Sequence, residues 1–167
     1  NQKLHWQKLK CLDVAPVLEP NIPILKSLHL PDSYLITNLQ YLGEAQFFEN
    51  LSNAVTQAPQ FIQVREKNLS LSELEAFTKD VLSVCRSSGS KVFLNSHIDL
   101  GVKLGVDGIH LNSMQLKTMT HRPDFELCAG SCHNKGDLER VDALGLDFAV
   151  LSPVKVTSSH PGGIPLG

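Results

Sequence analysis

The sequence predicts an α/β fold of the TIM type, a (β/α)8 barrel that is incomplete in this chain, where six strand-helix units are visible. Three observations predict it. From Ser33 onward, short apolar runs alternate with turn signals and helical patterns, the order that βαβ units and a parallel sheet require. The runs are apolar on nearly every residue, as strands covered on both faces are. They end in polar residues: Thr37 and Asn38, Arg65 to Lys67, Asn95, His110 with Asn112, Ser131 and His133, Lys155 and Thr157. In a barrel, strand C-termini form the active-site face. An open doubly wound sheet fits the alternation too, but no strand is followed by GxGxxG or GxxxxGK[ST], and converging polar ends favour the barrel.

The strands read in order as SYLITN, FIQVRE, KVFLN, DGIHLN, ELCAGSC and FAVLSPV. Between the first two, Phe47, Phe48, Leu51, Ala54 and Val55 fall at helical spacing. After FIQVRE, Ser70 and Glu73 make a capping box in front of the stripe Leu74, Phe77, Val81 and Cys85. DLGVKLG, SMQLKTM and KGDLERVDALG read as shorter helices that stop at or before a glycine. The chain ends at GGIPLG, where two more units would be needed for closure, so a piece of a longer protein is expected. Residues 1–31 stand outside the repeat. With Trp6, three prolines before Pro31 and a short apolar helix at Ile24 to Leu28, they read as the tail of a preceding domain plus a linker, and 32–167 as the barrel.

With 167 residues, 42% hydrophobic and 19% charged, the chain has the composition of an ordinary globular protein. A formal net charge of −2 and scattered cations offer no basic face, so nucleic acid is not expected as a partner. No apolar run approaches the roughly 20 residues of a membrane span, and the opening NQKLHWQKLK has no signal-peptide core. A cytoplasmic location without a membrane partner is the expectation. The four cysteines include no CxxC pair, and no disulfide framework is implied. Cys128, Cys132 and His133 lack a fourth ligand at zinc spacing, and the two cysteines read as core residues. Asp107 and Asp147 read as turn residues before their strands.

Six strand ends taken together, YLIT at 34–37, Gln63-Val64-Arg65-Glu66-Lys67, Asn95, Asp107-Gly108-Ile109-His110-Leu111, Gly130-Ser131-Cys132-His133, and Gly145-Leu146-Asp147 leading to Pro153-Val154-Lys155-Val156-Thr157, resemble the thiamine phosphate synthase/TenI family of (β/α)8 barrels. The opening segment, with Trp6 and EPNIPILKSL, resembles the end of a MutT-type Nudix hydrolase, and the two together resemble a Nudix–TenI fusion.

The resemblance implies that Gln63, Arg65, Lys67, Asn95, His110, Ser131 and Thr157 bind a small phosphorylated thiazole or pyrimidine, with the cations meeting phosphate oxygens. An Arg–Glu–Lys ion pair at the rim is the structural alternative for 65–67, and a bond to a neighbouring backbone group is the alternative for His110. The synthase pattern also implies Mg²⁺ held by two carboxylates, but Ser96 and Gln115 stand at those positions. The expectation is therefore no metal and no cofactor in this domain, Mg²⁺ belonging only to a separate Nudix domain. His133 stands where the TenI branch has its acid/base, which makes it the expected catalytic residue of a metal-independent thiazole tautomerase. A non-catalytic phosphate-ligand-sensing or interaction module is the alternative, a homo-oligomer is left open, and ordinary synthase activity is not expected.

Overall fold

The computed structural model describes residues 6–8, 11–13 and 15–155. It divides into two compact units, between Asp32 and Ser33. In the first, a 3-10 turn at Glu19–Asn21 runs into helix α1 (Ile22–Leu28). Prolines early in both segments suit helix starts, where no intrahelical donor is lost. Neither segment buries a residue.

The second unit alternates strand and helix in the expected order: β1 (Tyr34–Ile36), α2 (Leu39–Leu42), α3 (Glu44–Gln57), β2 (Phe61–Val64), α4 (Leu71–Cys85), β3 (Lys91–Asn95), α5 (Ile98–Leu104), β4 (Gly108–Leu111), α6 (Ser113–Thr118), β5 (Leu127–Cys132), α7 (Lys135–Ala143) and β6 (Phe148–Leu151). All six strands pair in parallel with their sequence neighbours, in the order β1 to β6. Parallel pairing sends every strand C-terminus to one end of the sheet. Helix α2 is an addition to the sequence reading; at four residues it is too short to show periodicity.

The sheet curls. In a flat sheet β1 and β6 would lie about 24 Å apart, five spacings of about 4.8 Å. Yet the rings of Tyr34 on β1 and Phe148 on β6 meet edge to face with centroids 5.2 Å apart, and Phe93 of β3 touches both, at 5.3 and 5.6 Å. Only a sheet curved into a partial barrel brings these edge strands and its middle to one aromatic cluster. Phe93 also explains Gly108: a Cβ there would sit 2.5 Å from the Phe93 ring and 2.9 Å from the Leu127 carbonyl.

The opposite face of the strands carries the main core. Ile62, Val64, Val92, Leu94, Ile109, Leu111, Cys128 and Cys132 pack with the apolar stripes of the helices, Phe47, Leu51 and Val55 from α3 and Leu74, Phe77, Val81 and Cys85 from α4 among them. Period-2 alternation thus sorts each strand into an outward apolar set and an inward set that grows polar toward the C-terminal end. The capping box of α4 is present as read, with the Ser70 hydroxyl accepting from the Glu73 amide.

At the N-terminal end, Asp107 and Asp147 do more than serve their own turns. The Asp107 carboxylate accepts from the Val92 amide of β3 at 2.8 Å and pairs with Lys91 at 3.1 Å. Asp147 accepts from the Cys128 amide of β5 at 2.7 Å and pairs with Arg122 at 2.8 Å. Each acid clamps the start of the preceding strand. Among the described residues no helix is long and apolar enough to cross a membrane.

Candidate active site at the C-terminal end of the strands

The inward residues at the strand ends come together as a polar network. Asn95 Nδ2 donates to Gln63 Oε1 at 3.3 Å, and Gln63 Nε2 lies 3.2 Å from His110 Nδ1. His110 Nε2 lies 2.8 Å from Ser131 Oγ, and the Tyr34 hydroxyl approaches His110 Nδ1 at 3.1 Å. Four of the expected binding residues, Gln63, Asn95, His110 and Ser131, are thereby joined across β2, β3, β4 and β5. Among the described residues, the His110 ring bonds to side chains and not to a backbone neighbour. Gln63 and His110 are 2% and 1% exposed, whereas Asn95 and Ser131 are half-buried and reach the mouth. Burial, with the Arg65 charge as a smaller cause, pushes His110 down to about 4, so its ring is neutral near pH 7.

Tyr34 was not singled out by the sequence. Its signal is an aromatic with a polar handle on an inward strand position, where a buried hydroxyl needs a partner. Burial raises its pKa above the ordinary phenol value, against a hydrogen bond from Gln63 that lowers it, and the hydroxyl stays protonated.

The three charges after β2 separate. Glu66 turns to the helix before it, accepting from the Leu39 amide at 3.0 Å, the N-terminal turn of α2, where a carboxylate is favoured. Arg65 and Lys67 are exposed, and among the described residues neither takes part in an ion pair. The rim ion pair is therefore not formed. Thr37 braces this loop by accepting from the Arg65 amide at 3.0 Å.

His133 stands apart from the network, one residue past β5. Its amide donates to Asp137 Oδ2 at 2.9 Å, and its Nδ1 lies 2.6 Å from the Ser152 carbonyl oxygen. A carbonyl only accepts, so Nδ1 carries a proton in this contact. Asp137 is 3% exposed and also accepts from Asn134 Nδ2 at 3.1 Å, while Asn134 Oδ1 accepts from the Asp137 amide. The sequence reading passed over Asp137; Asn134 with an acid three residues on is a capping signal that would have found it. Thr157, another of the expected binding residues, lies outside the described residues.

The positions implied for Mg²⁺ do not fit it. Gln115 Nε2 donates to the Ser96 carbonyl at 2.7 Å, and Gln115 Oε1 accepts from the Asn112 amide at 3.1 Å. Ser96 Oγ lies 3.0 Å from both Asn95 Oδ1 and Asn112 Nδ2. A hard dication needs anionic oxygens, and these oxygens are neutral and spent on one another. Ser96 holds this position at a φ of 67°, left-handed backbone that is unusual for a residue with a Cβ. Cys128 and Cys132 are fully buried in the strand–helix layer, and burial pushes the Cys128 thiol up to about 11, away from the thiolate a zinc site requires.

Residues 33–167 match the family model described as thiamine monophosphate synthase (TMP-TENI). A curated protein of Aquifex aeolicus named "Putative thiamine-phosphate synthase 2" is 29% identical over 143 residues, which are 84% of this chain and 76% of that protein. A thiamine-phosphate synthase of Prochlorococcus marinus is 27% identical over 146 residues, 86% of this chain but 41% of that protein, so the chain spans less than half of its length. Among solved structures, a thiamine phosphate pyrophosphorylase from Pyrococcus furiosus superposes with a TM-score of 0.59 at 19% identity, covering 73% of this chain and 60% of that one. That likeness concerns the fold alone. With its family model spanning the whole second unit, the chain belongs to the thiamine monophosphate synthase (TMP-TENI) family.

Proposed function

We propose that this domain binds a phosphorylated thiazole in thiamine biosynthesis and acts as a metal-independent thiazole tautomerase, with His133 as its acid/base. One observation supports the reading: the 2.6 Å contact of His133 Nδ1 with the Ser152 carbonyl, which makes Nδ1 the donor and orients the ring at the strand end. The reaction moves one proton. Nε2 removes it from the substrate, the electron pair redistributes through the conjugated ring system, and the imidazolium returns a proton at the second position, so atoms and charge balance. The Ser152 carbonyl stabilises the transient imidazolium. Arg65 and Lys67 supply a planar fork and a point charge for the phosphate, and Ser131 and Asn95 supply neutral contacts.

The names of the relatives favour a second reading, synthesis of thiamine phosphate. The neutral oxygens at 96 and 115 weigh against it, because expelling pyrophosphate calls for a carboxylate-held dication. For residues 1–31 the proposal is the end of a Nudix-type domain, where any Mg²⁺ would belong. The test uses the full-length protein in deuterated buffer with thiazole carboxylate phosphate. Ring exchange that is indifferent to chelator and lost in His133→Gln supports the tautomerase; equal exchange in the variant overturns it. Magnesium-dependent condensation with the pyrimidine pyrophosphate would establish the synthase, and a raised melting temperature without turnover would establish the sensing module.

A further inference from the structure

The hydrogen bonds at the barrel mouth form a chain whose direction is fixed at one end by a backbone amide. A backbone N–H can only donate, so the Gln115 amide, 2.9 Å from Asn112 Oδ1, identifies that atom as the oxygen. The other amide atom of Asn112 is then the NH₂, and it donates to Ser96 Oγ at 3.0 Å. Ser96 Oγ accepts there and directs its single proton to Asn95 Oδ1 at 3.0 Å. Asn95 must present its NH₂ to Gln63 Oε1 at 3.3 Å, and Gln63 its NH₂ to His110 Nδ1 at 3.2 Å. His110 Nδ1 is therefore an acceptor, a role that the Tyr34 hydroxyl reinforces from 3.1 Å. The neutral ring carries its proton on Nε2, which donates to Ser131 Oγ at 2.8 Å.

We propose that Asn112, Ser96, Asn95, Gln63 and His110 form a one-way hydrogen-bond relay that commits Ser131 to donate its hydroxyl proton into the barrel mouth, so the ligand atom seated there is a hydrogen-bond acceptor. Ser96 is the link that makes this possible. A hydroxyl accepts and donates at once, whereas a carboxylate at 96 could only accept and would turn Asn95, and everything after it, the other way. The residue that leaves the site without a metal ligand is thus the one that sets the polarity of its neutral replacement. Among the described residues no buried side-chain nitrogen or oxygen lacks a partner, as a relay with every link made requires. The five are positioning residues acting through Ser131, and the inference stands whether or not His133 performs the proposed chemistry.

The relay is read directly by nitrogen-15 NMR of the His110 imidazole in the full-length protein, with assignment by His110→Gln. The expected wild-type signature is a single tautomer, protonated at Nε2 with a pyridine-type Nδ1, unchanged between about pH 6 and 8. The decisive variant is Asn112→Asp, which keeps the oxygen that accepts the Gln115 amide but replaces the NH₂ by a second acceptor. Ser96 should then donate backward to residue 112, and the His110 proton should move to Nδ1 in most molecules while far-UV circular dichroism stays native. Ser96→Ala, which removes the link and keeps the backbone, should give a mixture of tautomers and serves if the aspartate variant does not fold. A wild-type ring protonated at Nδ1, or an unchanged Nε2–H signature in a folded variant, would overturn the relay. Because no substrate is involved, loss of the tautomerase reading would leave this result intact.

Discussion

The two ends of the barrel solve the same problem with opposite chemistry. At the N-terminal end, charged side chains are paired, Lys91 with Asp107 and Glu126 and Arg122 with Asp147, and the acids just before β4 and β6, Asp107 and Asp147, each reach a backbone amide of the preceding strand. At the C-terminal end, the buried side chains of the network, Gln63 and His110, are neutral, and the nearby cations Arg65 and Lys67 stay exposed. Charges committed to carboxylates hold strands in register but have nothing left for a ligand. A neutral network can be buried without the desolvation cost of ions, and it leaves the two cations for an anionic partner.

The largest expected effect that tests this contrast lies at the mouth. His133→Gln should lower proton-exchange turnover by about 10²–10⁴-fold, the usual worth of a positioned base, while differential scanning calorimetry shows little change in melting temperature. A large melting shift with retained turnover would move His133 to the structural side of the comparison.

Next comes acid sensitivity. His110 sits near 4 in the fold against an ordinary 6.5, so the unfolded chain takes up the proton first. The stability tied to its neutral form is fully present above about pH 6.5 and is lost as pH falls from 6.5 toward 4. At about 1.4 kcal/mol per pK unit this is on the order of 3 kcal/mol. Denaturant titrations at pH 7 and pH 4.5 should therefore differ less for His110→Gln than for the wild type; equal differences would remove His110 as the acid-sensitive group.

Smaller effects are expected at the opposite end. Asp147→Asn should cost about 1.5–3 kcal/mol in urea unfolding, because a largely buried carboxylate loses both its charge and its partner Arg122. Glu126→Gln should cost about 0–1 kcal/mol, since that carboxylate is 61% exposed and water replaces Lys91 readily. If the order of these two reversed, burial would not be what makes the clamp matter.

Much of the fold was legible because local patterns repeat. Six apolar runs with polar ends, the Ser70 box and the α4 stripe needed only period and capping chemistry, and all recur in the structure. The four-residue α2 was not legible, being too short to show a period. Of the site, the strand-end positions of Asn95, His110 and Ser131 followed from the pattern, and Gln63 only from the family resemblance. Tyr34 and Asp137 were missed because an inward tyrosine and a cap-box acid look ordinary until the surrounding groups are known. The ion pair considered for Arg65, Glu66 and Lys67 fails because Glu66 finds the start of α2, a helix the sequence did not reveal.

What the sequence determined by itself is the order of the elements and the side of each strand that each residue occupies, because backbone periodicity is a local property. What only the tertiary structure decided is who meets whom across the curl: Tyr34 with Phe148 from opposite edges, and Asn112 linked to Ser131 through four intervening side chains. Hydrogen-bond direction depends on the partner at each link, and apart from the sequence neighbours Asn95 and Ser96 those partners are supplied by the curvature of the sheet and the loops it brings together.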